Sequence, residues 1–270
     1  MSIDVLLPFS SWLELREPAD AAARAGALVE AVRHRLPTDR PIVLHDLGSG
    51  TGSMLRWLAP RLPGPQHWVL HDRDQELLDL AATGSVTAAD GAPVSVATRC
   101  GDLTRLTAAD LAGADLITAS ALLDMFTAEE VERVVAACAG RPTLLMISVT
   151  GEVRLSPADP LDIEIAAAFN DHQRRTVDGR RLLGPDAVEA AVAAFARHGV
   201  AVQVRSSPWR LGAAQADLSA EWFRGWVAAA CEQRPELAGP AGGYARRRLA
   251  QAAAGRLRVL VDHRDLLAGG

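Results

Sequence analysis

The sequence contains no lysine: all 28 basic residues are arginines. With alanine abundant, this points to a GC-rich coding sequence, so arginine density by itself marks no site. Cysteine is also scarce. Cys100, Cys138 and Cys231 are odd in number, widely spaced and without a CxxC pair, which excludes a disulfide framework and a cysteine zinc site and leaves buried, reduced thiols as the expectation. No apolar run approaches the roughly 20 residues that a bilayer span needs. The opening "MSIDVLLPFSSWLELREPAD" reaches acidic and polar side chains within a few positions, unlike a secretory signal. A soluble, cytoplasmic protein without a membrane partner is the expectation. Positive charge is not in excess: the net charge is -5 and the pI is near 5.8. Neither nucleic acid nor an anionic surface is attracted at long range, and a small-molecule partner is favoured. Repeats and low-complexity linkers are absent too, so the 270 residues read as one α/β domain with embellishments. The oligomeric state is not legible, a homodimer being one option.

What is present is alternation. "PADAAARAGALVEAVRHRL", from Pro18 to Leu36, carries Ala22, Ala25, Leu28, Val29, Val32 and Leu36 on one helical stripe, with proline placed to open it. Then "PIVLHDLG" reads as a strand, "TGSMLRWLAPRL" as a helix, "QHWVLHD" as a strand and "DQELLDLAATG" as a helix. "VSVATRCGD" and "ADLITASALLDMF" give a third and a fourth strand, "TAEEVERVVAACAG" a helix and "PTLLMISVTG" a fifth strand. Short connections between such elements predict a doubly wound, mostly parallel sheet covered on both faces. Ligands of such folds sit at the carboxyl ends of the strands, near the point where strand order reverses. Beyond residue 150, "SPADPLDIEIAAAFNDHQRRT", "GPDAVEAAVAAFARHG", "DLSAEWFRGWVAAACEQRP" and "YARRRLAQAAAGR" read as helices, and 200–206 and 257–263 as strands. Residues 155–184 and 214–254 exceed what sheet connections need, and are read as helical cap insertions.

"HDLGSGTGSMLRWL" places Gly48, Gly50 and Gly52 between a strand ending at Asp46 and a helix. Glycine there leaves backbone amides bare for close approach to a ligand. The next strand ends at Asp72, about twenty residues on, where a carboxylate can accept ribose hydroxyls. The order D-x-G-x-G-x-G is not the G-x-G-x-x-G of a pyrophosphate binder. Asp46 would repel an anion, but not a ligand bearing an ammonium or sulfonium group.

These residues resemble the class I S-adenosylmethionine-dependent methyltransferases, with "HDLGSGTG", "VLHDRD", "RCGDL" and "ADLITASALLDMF" following one another over roughly residues 42–150. The resemblance implies a seven-stranded sheet whose last strand is antiparallel, and S-adenosyl-L-methionine as cofactor. It further implies that Asp46, Gly48, Ser49, Gly50 and Gly52 meet the methionine part, and that Asp72 takes the ribose with Arg73 beside it. By the same token Asp102 accepts from the adenine amino group, the Leu103 amide contacts the ring, and Ser120 lies at the methionine end. Many such proteins carry an N-terminal helical lid, here residues 1–40.

Methyl transfer from a sulfonium is an in-line displacement, which demands alignment and exclusion of water. "SALLDMF" lacks the N-P-P-[YF] segment of relatives acting on amino groups of nucleobases or glutamine, which lowers nucleic acid as a substrate. Transfer to an oxygen or nitrogen of a small molecule is the leading expectation. His172 is the candidate base, with Asn170, Gln173 and Arg174 close by; Asp124 either faces the acceptor or caps the next helix. Trp222 and Trp226 suit an aromatic wall, and Trp12 and Arg16 lie where a lid would meet substrate. His45 and His71 are expected as hydrogen-bonded neighbours on paired strands, and no metal is assigned, since a third ligand at suitable spacing is missing. The alternatives are an NAD(P)-dependent oxidoreductase and a non-catalytic S-adenosylmethionine-binding regulatory protein.

Overall fold

The computed structural model describes residues 7–269, so the first six residues of the expected lid lie outside it. In chain order the elements are α1 (Phe9–Ala23), α2 (Gly26–Arg33), β1 (Ile42–Leu47), α3 (Ser53–Leu58), β2 (Gln66–Asp72), α4 (Gln75–Ala82), β3 (Val94–Cys100), β4 (Leu116–Ser120) and α5 (Ala128–Cys138). They continue with β5 (Thr143–Ser156), α6 (Leu161–Gln173), the hairpin β6 (Thr176–Val177) and β7 (Arg180–Arg181), α7 (Ala187–Arg197), β8 (Val202–Ser206), β9 (Trp209–Leu211), α8 (Ala216–Gln233), α9 (Ala238–Ala253) and β10 (Arg258–Ala268).

The sheet runs β3-β2-β1-β4-β5-β10-β8. Its first five strands are parallel, and β10 is antiparallel to both neighbours, as expected for the last of seven strands. Short β9 continues beyond β8 along the same edge of β10 and makes an eighth strand. Strands β1 and β4 bury nearly every residue, which is why they read as continuous apolar runs: helices cover both faces. One face packs against α2 and α3 through Leu28, Val32, Leu55, Trp57 and Leu58, the other against α5 and α7 through Val131, Val134, Val135, Ala191 and Phe195. Strand order reverses between β1 and β4, and the glycine turn stands at that point.

Two expected boundaries move. The helix expected over Pro18–Leu36 is two helices, with Pro18 inside α1 rather than at its start. The break has a tertiary cause: the Ala25 amide donates to the Asp265 carboxylate at 2.7 Å instead of continuing the helix ladder. Strand β5 runs through to Ser156, past the limit expected at residue 151, because its far half pairs with β10, from Arg258↔Ser156 to Val261↔Val153. Beneath this extension, α6, α8 and α9 share a third core with Trp209, Phe223, Trp226 and Tyr244. Fully buried Arg248 ties α9 to α6 through both oxygens of Asp162, which also accepts from the Tyr244 hydroxyl at 2.6 Å.

Candidate active site

The turn after β1 holds Gly48, Gly50 and Gly52 at φ of +65°, +52° and +83°. A Cβ at Gly48 would stand 2.9 Å from Leu122 Cδ1, and one at Gly50 3.2 Å from Leu13 Cδ1, so both conformation and close packing require glycine. The Ser49 amide donates to the His71 carbonyl at 3.0 Å and the Gly52 amide to the Ser49 carbonyl at 2.9 Å, fixing the turn against the end of β2. Under it, buried Asp46 accepts from Thr118 Oγ1 at 2.7 Å through Oδ1, while its Oδ2 has no partner. Burial pushes its carboxyl up to about 7, against the opposing pull of the Thr118 hydrogen bond and of Arg24. Ser49 Oγ is likewise buried and unpartnered.

Arg24 is a residue that sequence reasoning missed. Where α1 ends, its buried guanidinium reaches across to donate to Ser120 Oγ at 3.0 Å and Ser53 Oγ at 3.1 Å, and lies over the Trp57 ring. Its Nε is buried without a partner, and burial lowers its pKa. No local pattern announces it, since the arginine and Ser120 are 96 residues apart. Asp265 went unnoticed in the same way. It is fully buried and accepts from the Ala25 and Ile147 amides and from Ser207 Oγ, each at 2.7 Å. Ala121, just past the carboxyl end of β4, and Ile147, within β5, have φ of 53° and 54°. For a β-branched residue that region is an outlier, of the kind that clusters at functional sites, and here the Asp265 carboxylate holds it in place.

Asp72 ends β2 and receives the Gly50 amide at 2.8 Å and the Asp74 amide at 3.1 Å, which joins the expected ribose position to the glycine turn. Arg73 is exposed. Asp102 accepts from the Thr104 amide and hydroxyl at 2.9 and 2.8 Å, shaping the turn after β3, and these bonds hold its carboxyl below the usual range. With Leu103 and His71 it lines a cavity of about 260 Å³. His71 Nε2 and His45 Nδ1 are 3.0 Å apart in the buried, hydrogen-bonded pair expected of them, and desolvation presses each to about 4.

The acceptor-side expectations divide. Trp12 and Arg16 meet: the guanidinium sits 5.9 Å from the Trp12 ring and 5.0 Å from Trp209, and binds Asp20 at 3.0 and 3.2 Å. Arg16 is therefore a packed residue of an aromatic cluster, not a solvated one. Asp124 is not the cap of α5; Thr127 is, in a capping box with Glu130. Burial raises the Asp124 carboxyl. His172 does not turn to the glycine turn: it lies between α6 and α8, with Nε2 3.3 Å from Glu232 and Nδ1 3.2 Å from Arg175. Asn170 donates to the Gly151 carbonyl at 2.9 Å, and Gln173 packs at Gly184 with Oε1 unpartnered. Arg174 pairs with Asp186. Trp226, expected as a pocket wall, belongs to the third core, 1% exposed, where it stacks on partly buried Trp222 at 5.1 Å. Helical spacing alone could not separate a wall from a core. Among the described residues no cluster of metal-ligating side chains occurs, and no helix is long and apolar enough to cross a membrane.

Residues 44–141 match the family model described as a methyltransferase domain. No curated protein matches the sequence. Among solved structures, the chain is similar to the cyclopropane synthase MmaA2 from Mycobacterium tuberculosis, at 14% identity over 98% of this chain and 99% of that one, with a TM-score of 0.50. A second is the SAM-dependent methyltransferase from Geobacter sulfurreducens in complex with S-adenosyl-L-homocysteine, at 16% identity over 97% of each chain, with a TM-score of 0.44. At such identity, the likeness to MmaA2 is one of fold.

Proposed function

We propose that this protein, whose residues 44–141 match a methyltransferase domain, is a class I, S-adenosylmethionine-dependent methyltransferase that methylates an oxygen or nitrogen of a small molecule. The observation that carries the cofactor's placement is a set of three buried polar atoms without partners around the end of β1: Asp46 Oδ2, Ser49 Oγ and Arg24 Nε. Each unmet group costs about 1–3 kcal/mol, and together a carboxylate, a hydroxyl and a guanidinium fit the ammonium and carboxylate ends of an amino acid. Asp46 then receives the ammonium, whose charge draws its carboxyl down from about 7. Arg24 and Ser49 hold the carboxylate, and Ser120, already fixed by Arg24, orders the same end. The bare amides of Gly48 and Gly50 allow close approach, and Gly52 closes the turn against Ala81.

Asp72 accepts the ribose hydroxyls on the lone pairs its backbone donors leave free, with Arg73 beside it. Asp102 accepts from the adenine amino group at the mouth of the cavity after β3, and the Leu103 amide meets the ring. Bound there, S-adenosylmethionine supplies an electrophilic methyl group on a sulfonium. The protein's part is to align the acceptor and keep water out. The described part of the N-terminal segment, residues 7–40, acts as lid: Leu13 already lies over Gly50. The segments 155–184 and 214–254 act as cap, with Asn170 and Gln173 on its inner border. Asp124, half-buried beside the β4 end, faces the acceptor.

The test is transfer of a labelled methyl group from S-adenosylmethionine into a fractionated cell extract. Label in the small-molecule fraction, as an ether, ester or amine, supports the reading. Label confined to nucleic acid, protein or lipid, or carried on a new carbon–carbon bond, overturns it.

A further inference from the structure

Behind α1, on the α1-facing side of β10, lies a cluster the cofactor site does not use. The His263 ring is 2% exposed and packs 5.3 Å from the Trp209 ring, and Trp209 in turn meets Trp12 edge-on at 6.4 Å. Trp209 Nε1 donates to Asp20 Oδ1 at 2.9 Å, and Asp20 also holds Arg16. His263 Nδ1 is buried and has no hydrogen-bond partner. Such a nitrogen is costly to leave unmet, and in native proteins it marks a missing partner.

The cluster sits within reach of the methyl donor's end. His263 pairs with Val149 on β5, just past the point where the Ala121 amide donates to the Met146 carbonyl at the end of β4. Asp20 and Arg24 are four residues apart at the end of α1, about 6 Å along the axis, and Arg24 touches Ser120. About one helical turn thus separates the histidine's cluster from the residues assigned above to the methionine end.

We propose that His263 is the proton acceptor for an aromatic hydroxyl, whose ring lies against Trp12 and Trp209 when α1 opens to admit it. This rests on the methyltransferase reading above. Proton transfer selects the acceptor class. Arg16 and Asp20 from α1 and Asp262 from β10 face the imidazole, and burial holds it at about 4, hence neutral near pH 7. Arg16 is neutralised by Asp20, so the exclusion is chemical: an ammonium has no lone pair to attack a methyl carbon, and a carboxylate, already ionised, has no proton to give. A phenol has both the proton and the planar face that indole rings favour. In the step, a lone pair of the phenol oxygen forms the bond to the methyl carbon as the O–H proton passes to Nδ1. The carbon–sulfur bond breaks with its pair remaining on sulfur, leaving a neutral thioether, and the imidazolium returns its proton to solvent.

The experiment measures labelled methyl transfer to mono- and polycyclic phenols graded in acidity from para-cresol to para-nitrophenol, for the wild type, His263→Ala and His263→Asn. Calorimetry with S-adenosylhomocysteine accompanies it. Both variants are expected to bind S-adenosylhomocysteine as the wild type does, and to lose about 10²–10⁴-fold in rate on para-cresol. They should recover near-wild-type rates on para-nitrophenol at a pH where it is already ionised, a rescue that a merely structural role does not give. Undiminished rates on para-cresol, or equal losses across the panel, overturn the proposal. So does a wild type that binds S-adenosylhomocysteine but forms no aryl methyl ether, which leaves the cofactor reading standing. A wild type that fails to bind S-adenosylhomocysteine overturns both.

Discussion

Replacing Asp46 with asparagine separates the cost of this carboxylate in the free protein from its value to the ligand. With the folded carboxyl near 7 and the unfolded one near 3.9, the folded state binds more protons than the unfolded state between those values. The contribution is fully present below about pH 4 and is lost as pH rises through about 7. Three pKa steps at 1.36 kcal/mol each give a cost of about 4 kcal/mol at pH 8. His45, His71 and His263, each pressed to about 4, act in the opposite direction. Their stabilisation is present above about pH 6.5 and fades as pH falls through about 4, so the wild-type pH profile alone does not isolate Asp46. The difference between Asp46→Asn and wild type does. Denaturant unfolding should give the two equal stability near pH 4 and a variant more stable by up to about 4 kcal/mol at pH 8, because asparagine keeps the Thr118 hydrogen bond without the charge. The same variant should bind S-adenosylhomocysteine about 10- to 150-fold more weakly, the equivalent of a charged hydrogen bond worth about 1.5–3 kcal/mol. A stability difference that is flat with pH, or a stabilised variant that binds as well as wild type, would refute the reasoning.

Gly48→Ala puts a methyl group 2.9 Å from Leu122 at a positive φ; a loss of about 1–2 kcal/mol in urea unfolding is expected, together with loss of S-adenosylhomocysteine binding by calorimetry. Asp265→Asn turns one acceptor of the Ala25, Ile147 and Ser207 donors into a donor. It should cost about 1–3 kcal/mol by the same unfolding assay, and an unchanged midpoint would show that Ile147 is not held by this carboxylate. His172→Ala removes a side chain paired with exposed Glu232. Its effect on labelled methyl transfer should stay within about 0.5 kcal/mol, whereas a loss of a hundredfold or more would restore His172 as a base.

How much could be read from the chain depends on the distance over which each feature is encoded. The glycine turn, Asp72 and the Asp102 turn are local: residue type, φ requirement and spacing lie within one strand–turn–helix unit, so their positions followed from the sequence alone. That the first five strands are parallel followed from their alternation with helices, and β1 and β4 read as continuous apolar runs because they are buried on both faces; their order in the sheet did not follow. The rest depends on distant partners. Ala25 stops α1 because Asp265, 240 residues away, takes its amide, and Trp209 finds Asp20 across 189 residues. Arg24, among 28 arginines, is distinguished only by the serines it meets. Trp226 and His172 were read correctly as helical but assigned to the wrong surroundings, since period 3.6 shows that a face is apolar and not what covers it.

The central claim is that the unpartnered groups of Asp46, Ser49 and Arg24 receive the amino-acid end of S-adenosylmethionine. Its most direct measurement is titration calorimetry of S-adenosylmethionine into the wild type at pH 6.5, repeated in buffers that differ in ionisation enthalpy. One-to-one binding that releases a substantial fraction of a proton, as Asp46 ionises on meeting the ammonium, is the expected result, with the release abolished in Asp46→Asn. Absence of binding, or binding with the same proton release in wild type and variant, would contradict it.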